Sequence, residues 1–156
     1  AIDAFPNLRV LFTMPNSDQG GDVIKQSIEH YCALRADRCR SFTSLGMRRY
    51  LSALQHVSAV IGNSSSGLVE VPSVHIPTLN IGDRQKGRPH GLSVLDCGSD
   101  YGAIVAGLNT VLSPAFRHLA RTAANPYEKA NTAQSIFDVI RTYPLEQLNQ
   151  KSFYNL

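Results

Sequence analysis

Several features that would direct a reading of this sequence are scarce or missing. Its three cysteines, Cys32, Cys39 and Cys97, are odd in number and widely spaced, with no Cys-x-x-Cys pair and no Cys/His ligand spacing. A disulfide framework and a zinc site are therefore not expected, no metal or other cofactor is implied, and the usage fits a reducing cytoplasm. No apolar run nears the ~20 residues needed to cross a bilayer, and no signal-peptide pattern opens the chain, so no membrane partner is expected. An excess of one charge is also missing. Fifteen basic against 12 acidic residues leave +3, too little for an electrostatic nucleic-acid binder. Repeats and low-complexity linkers are absent. What is present is an ordinary globular composition, 43% apolar over 156 residues. That content excludes disorder as the main state, and the length predicts one domain spanning residues 1–156.

The patterning predicts alternating strands and helices. Leu8 to Met14 is a nearly continuous apolar run ended by Pro15-Asn16 and turn formers, the signature of a strand buried on both faces. Val23, Ile24, Ile28, Tyr31 and Leu34 recur at helical spacing within 22–34. Further strands are predicted at 41–45, 58–62, 78–81 and 93–96. Helices are predicted at 47–57, after Gly67 (carrying Leu68 to Val71), and at 101–112, 115–123 and 132–143. Such alternation with short turns predicts an α/β fold, a Rossmann-like, doubly wound parallel sheet with helices on both faces.

Ligands of such sheets bind outside the carboxyl ends of the strands, which directs attention to the polar turns there. The turn Gly62-Asn63-Ser64-Ser65-Ser66-Gly67 is the strongest candidate. Small hydroxylated residues ahead of a helix offer side-chain donors and free backbone N–H groups, a combination that receives phosphate without a lysine. Simple N-capping would need one such residue rather than four in a row. Gly67 would let a backbone come close. Glu70, a turn further on, could accept two hydrogen bonds from a ribose diol, or could merely sit favourably near a helix start. The loop Gly82 to Gly91 carries Arg84, Lys86, Arg88 and His90, cations spaced by glycine that suit a clamp on a diphosphate; a solvated basic loop is the bland alternative. No aromatic interleaving supports nucleic acid as the partner. His30, His56, His75 and His118 read as surface or packing residues. No Ser/His/Asp order and no carboxylate pair stands out, so no residue of this chain is assigned as catalytic.

The run Val60-Ile61-Gly62-Asn63-Ser64-Ser65-Ser66-Gly67-Leu68-Val69-Glu70-Val71-Pro72, followed by Pro77 to Arg88, closely resembles hydrolysing UDP-N-acetylglucosamine 2-epimerases. The turn Phe12 to Asp18 and the late Asn125-Pro126-Tyr127 are similar too. The resemblance implies the C-terminal, UDP-binding half of a GT-B architecture. It also implies a reaction that eliminates UDP to give a 2-acetamidoglucal and then hydrates it to N-acetylmannosamine. Carried over by motif, Ser64 and Ser65 would bind the diphosphate, with Ser66 and Gly67 completing the turn. Glu70 would hold the ribose hydroxyls, Arg84 the phosphates, Asn16 the nucleotide sugar near the cleft, and the backbone of Leu45 the uracil. Arg88 is added on charge and proximity.

The family's catalytic carboxylates belong to the other domain, and its catalytic histidine to the first strand–helix unit of this one. The chain reads as beginning after both, so the fragment alone is expected to be inactive and to need the missing N-terminal catalytic domain. A missing first strand predicts a gap or exposed edge in the sheet, and with it self-association or marginal stability. Tyr127-Glu128-Lys129 departs from the glycine that relatives carry after the tyrosine. The alternatives are the donor domain of a GT-B glycosyltransferase and a non-catalytic nucleotide-sugar-binding module.

Overall fold

A computed structural model describes residues 1–15 and 20–144. The chain forms two compact units, Ala1–Pro126 and a second beginning at Tyr127. In the first unit the elements run β1 (Val10–Thr13), α1 (Gly21–Leu34), β2 (Cys39–Phe42), α2 (Gly46–Leu54), β3 (Val60–Gly62), α3 (Ser66–Val69), β4 (Thr78–Ile81), β5 (Val94–Cys97), α4 (Tyr101–Val111) and α5 (Pro114–Thr122). The second unit contains α6 (Thr132–Thr142), entered through Asn131 in the left-handed region at φ 57°.

The α/β class and the parallel pairing follow the sequence pattern, but the strands do not form one continuous sheet. β1 pairs with β2, and β3-β4-β5 form a separate three-stranded sheet, every pair parallel. A second difference follows from the first. β1 was expected to be buried on both faces, yet it alternates, with Leu11 and Thr13 exposed. A strand with a single neighbour lacks the two-sided cover that a central parallel strand receives.

β4 is the central strand of its sheet, and its sequence explains why. Thr78, Leu79 and Asn80 are all buried, and Leu79 is completely enclosed with Leu108 and Val111 of α4. Gly107 makes that approach possible, since a Cβ there would lie 2.5 Å from Leu79 Cδ1. Helix α4 starts on a built cap, Asp100 accepting from the Ala103 N–H, and α5 starts similarly on Ser113 with Pro114 at its first position. A second cluster joins Leu54 of α2 to Val71 and Ile76, with Tyr50, Val60 and Val74 packed around it.

The first residues are fastened to both sheets. Ala1 and Phe5 pack on the Leu79–Leu108–Val111 cluster, while the Asp3 carboxylate reaches the other layer. It accepts from Tyr31 Oη at 2.6 Å and pairs with Arg35 and Arg38, each at 2.7 Å. The Tyr31 hydrogen bond and the Arg35 guanidinium hold this carboxyl below its usual range. A lowered folded-state value means that the contribution is present above the unfolded value near ~3.9 and is lost as pH falls through the folded one. Thermal melts of the parent and Asp3→Asn should therefore differ at neutral pH and converge below about pH 4. A gap that persists in acid would contradict this.

Candidate functional site

The polar turns predicted to carry the chemistry lie at the carboxyl ends of the strands. Leaving β3, the chain turns at Gly62 (φ 150°) and presents Ser64 and Ser65 exposed, Ser66 half-buried and Gly67 buried. The helix that follows is shorter than its pattern predicts. Only Ser66–Val69 is α-helical, and Val71–Val74 tightens into a 3-10 turn through Pro72. Ser65 occupies the N-cap position but makes no capping bond through its side chain. The serines are thus not consumed as caps, although the Ser66 N–H reaches Ser64 Oγ at 3.4 Å.

Two contacts hold this turn in place. Tyr50 Oη on α2 and Ser66 Oγ are 2.5 Å apart, which ties the third serine to the helix that begins just after Leu45. Burial raises the Tyr50 hydroxyl above its ordinary value against the opposing effect of the Ser66 bond, so it remains neutral and able to donate. The second contact lies beneath. The Gly67 carbonyl accepts from Thr78 Oγ1 at 2.9 Å, and a Cβ at this glycine would sit 2.8 Å from Thr78 Cγ2. The close approach that Gly67 permits here is therefore to β4. Glu70 ends the short helix, exposed, with its N–H donating to the Ser66 carbonyl at 3.0 Å.

The basic loop is fastened to the serine turn. After β4 it passes Gly82 and Gly87, both at positive φ, with Arg84, Lys86 and Arg88 exposed. Between them Gln85 is buried, and its Nε2 donates to the Asn63 carbonyl at 2.8 Å. One buried amide thus holds the arginine loop against the turn that carries Ser64 and Ser65. Asn125 braces the same element from its far end, donating to the Val69 carbonyl at 2.8 Å and to Ser73 Oγ at 2.7 Å. Leu45 is half-buried at the start of α2, the helix whose Tyr50 meets the serine turn. Asn16 lies outside the described residues.

A cleft of about 550 Å3 opens at the carboxyl ends of β4 and β5, with Asn80, Gln85, Lys86, His90 and Asp96 in its wall. Asn80 Nδ2 donates to Asp96 Oδ1 at 2.7 Å, and His90 Nε2 lies 3.4 Å from Asp96 Oδ2. Ser64, Ser65, Glu70 and Arg84 do not line this cleft; Gln85 alone belongs both to its wall and to the fastening of the serine turn. Sequence reasoning did not single out Tyr50, Gln85, Asn80, Asp96 or Asn125 as positioning residues. Asn80, Gln85 and Asn125 carried a signal only as members of stretches that resemble the family, and Tyr50 and Asp96 carried none.

No group of three or more His, Cys, Asp or Glu is placed to hold a metal among the described residues. All three cysteines are unpaired, and burial pushes the Cys39 and Cys97 thiols up, away from the reactive thiolate. No helix among the described residues is long and apolar enough to cross a membrane.

Residues 1–141 match the UDP-N-acetylglucosamine 2-epimerase family. The chain belongs to that family. Its parallel α/β arrangement is accordingly that of a Rossmann-like half of a GT-B fold. Over its full length it is 35% identical to the polysialic acid biosynthesis protein P7 of Escherichia coli, covering 40% of that protein. It is 30% identical to the UDP-N,N'-diacetylbacillosamine 2-epimerase (hydrolyzing) of Legionella pneumophila over 95% of this chain and 38% of the relative. A Campylobacter jejuni GDP/UDP-N,N'-diacetylbacillosamine 2-epimerase (hydrolyzing) is 39% identical over 61% of this chain and 25% of its own length. The chain therefore spans less than half the length of these relatives.

Proposed function

We propose that this epimerase-family chain is the UDP-binding part of a hydrolysing UDP-sugar 2-epimerase, which releases UDP and an N-acetylmannosamine-type sugar by elimination followed by hydration. The observation that carries the reading is the Gln85–Asn63 bond, which holds the Arg84–Arg88 loop beside the exposed Ser64 and Ser65. A diphosphate asks for hydroxyl and N–H donors on one side and guanidinium on the other, and these two turns supply both. Ser64 and Ser65 donate to the phosphates, and Ser66 orients the turn through Tyr50. Arg84 and Arg88 neutralise the leaving diphosphate, whose added charge during elimination the cations stabilise. Glu70 takes the ribose hydroxyls, the Leu45 backbone borders the uracil, and Asn16 meets the sugar side.

No residue of this chain abstracts the sugar proton. That role belongs to a catalytic domain outside the chain, and the 156 residues alone bind UDP without turnover. The unpaired thiols suit a reducing cytoplasm. Two relatives are named for N,N'-diacetylbacillosamine, which favours a 2,4-diacetamido sugar as a second substrate reading beside N-acetylglucosamine.

Calorimetric titration with UDP tests the assignment. Arg84→Ala removes a charge-assisted contact of about 1.5–3 kcal/mol, so its affinity should fall at least about tenfold. Ser64→Ala should fall by a smaller factor. Gln85→Leu keeps both groups but releases the loop, and should weaken UDP while leaving thermal stability nearly unchanged, since it also removes a buried Oε1 that has no partner. Parent-like UDP binding in both Ser64→Ala and Arg84→Ala would overturn the site.

A further inference from the structure

Two buried oxygens on residues lining the cleft at the ends of β4 and β5 meet no partner among the described residues. They are Asn80 Oδ1 and Gln85 Oε1, in residues only 3% and 6% exposed. Hydrogen bonding fixes which end of each amide is left over. Asn80 Nδ2 donates to the Asp96 carboxylate at 2.7 Å, and Gln85 Nε2 to the Asn63 carbonyl at 2.8 Å. Both partners only accept, so turning either amide over would set oxygen against oxygen. A buried acceptor left unmet is costly, and folded chains keep few of them. Ser93 Oγ, the third such atom among the described residues, lies outside the cleft. We propose that the cleft is a binding site for an uncharged, hydroxylated ring of monosaccharide size, whose O–H or acetamido N–H groups donate to these two oxygens.

The charges around the cleft select that chemistry. Its exposed rim carries Asp83, Lys86, His90, Asp96 and Ser99. A phosphate or carboxylate would meet two acceptor oxygens and two carboxylates there, with Lys86 as the one permanent cation. A metal ion lacks ligands, since no group of three His, Cys, Asp or Glu is placed to hold one among the described residues. An organic cation is opposed by Lys86, and Asp96 is already engaged. Asn80 holds one of its oxygens, and His90 Nε2 lies 3.4 Å from the other. A hydroxyl escapes both conflicts, because it donates inward to an amide oxygen and accepts from Lys86 or Ser99 on the rim.

Size and position agree with a small ligand. The volume of about 550 Å3 falls within the ~300–1,000 Å3 of small-molecule sites. Gly82, Gly87 and Gly98 leave parts of the wall as bare backbone, open to a polar ring. The site is separate from the serine turn, since Ser64, Ser65, Glu70 and Arg84 line none of it. Gln85 is the link between them, with Nε2 on the turn and Oε1 left for the cleft. A donor on Oε1 polarises the same amide and strengthens the bond that holds the basic loop to the turn.

The test is an NMR titration of the 156-residue chain that follows the side-chain amide signals of Asn80 and Gln85. Free N-acetylmannosamine is the probe and glycerol the control. Neither carries a nucleotide, so a failure here is distinct from a failure of the UDP assignment. The sugar should shift both signals saturably, with a Kd of about 1–10 mM, and give nuclear Overhauser contacts to both amides in the parent. Gln85→Leu, which removes Oε1, should weaken the sugar at least about fivefold. The contacts in the parent decide the matter if that variant does not fold. A second arm compares UDP-N-acetylglucosamine with UDP. If the Asn80 amide responds to the UDP-sugar and not to UDP or free sugar, the ring in the cleft is that of a nucleotide sugar. The proposal is overturned by no saturable shift with either sugar, by an equal response to glycerol, or by bound water retained on both amides at sugar saturation.

Discussion

Leu79→Ala should destabilise the chain by about 2–5 kcal/mol, a loss large enough to leave it partly unfolded at ordinary temperature. Leu79 is completely enclosed at the centre of the three-stranded sheet and packs against Leu108 and Val111. Gly107 brings α4 close enough that a Cβ there would already meet Leu79. The surroundings are backbone-close strand and helix, so they cannot collapse to fill the space, and the cavity adds to the lost burial. Urea unfolding is the measurement. The midpoint should fall with little change in slope, whereas a loss below about 1 kcal/mol would mean that this cluster is not the folding core.

Asn125→Leu should also have a large effect, through the serine turn. Asn125 is buried and its amide donates to both the Val69 carbonyl and Ser73 Oγ. Leucine has nearly the same volume but no donor, so two acceptors lose their partner at about 1–3 kcal/mol for each that stays buried. Val69 ends the short helix whose other end bears Ser65 and Ser66. Loss of UDP affinity should therefore accompany the loss of stability. Asn125→Ala, smaller and equally unable to donate, separates the causes. If both variants lose affinity alike, the missing donor is responsible; if only leucine does, its bulk is. Urea unfolding and UDP calorimetry on the same samples check this, and full stability in both variants would contradict it.

Much of the molecule was legible in the residues because the signals were local. Turn formers after apolar runs located β4 within 78–81, and helical spacing located α1, α4, α5 and α6 to within about a residue at each end. The serine turn and the basic loop could be named for the same reason, since their composition is unusual over six to ten consecutive positions. Partnerships were not legible. Gln85 is unremarkable in sequence, and its importance comes from the Asn63 carbonyl 22 residues earlier. Nothing along the chain links Tyr50 to the serine turn, since its partner Ser66 lies 16 residues later. Gly67 was expected to let a backbone come close, and the sequence left open that a neighbour it meets is Thr78 of β4.

By itself, then, the sequence determined the α/β class, the element order, the chemistry of the turns and the family resemblance, because these depend on residue type and short spacing. The tertiary structure alone decided which strands share a sheet, β1 with β2 and β3 with β4 and β5, and that one buried amide couples the serine turn to the arginine loop. Both depend on which backbone groups find partners across tens of residues. Hydrogen bonds between distant segments leave no periodic trace along the chain.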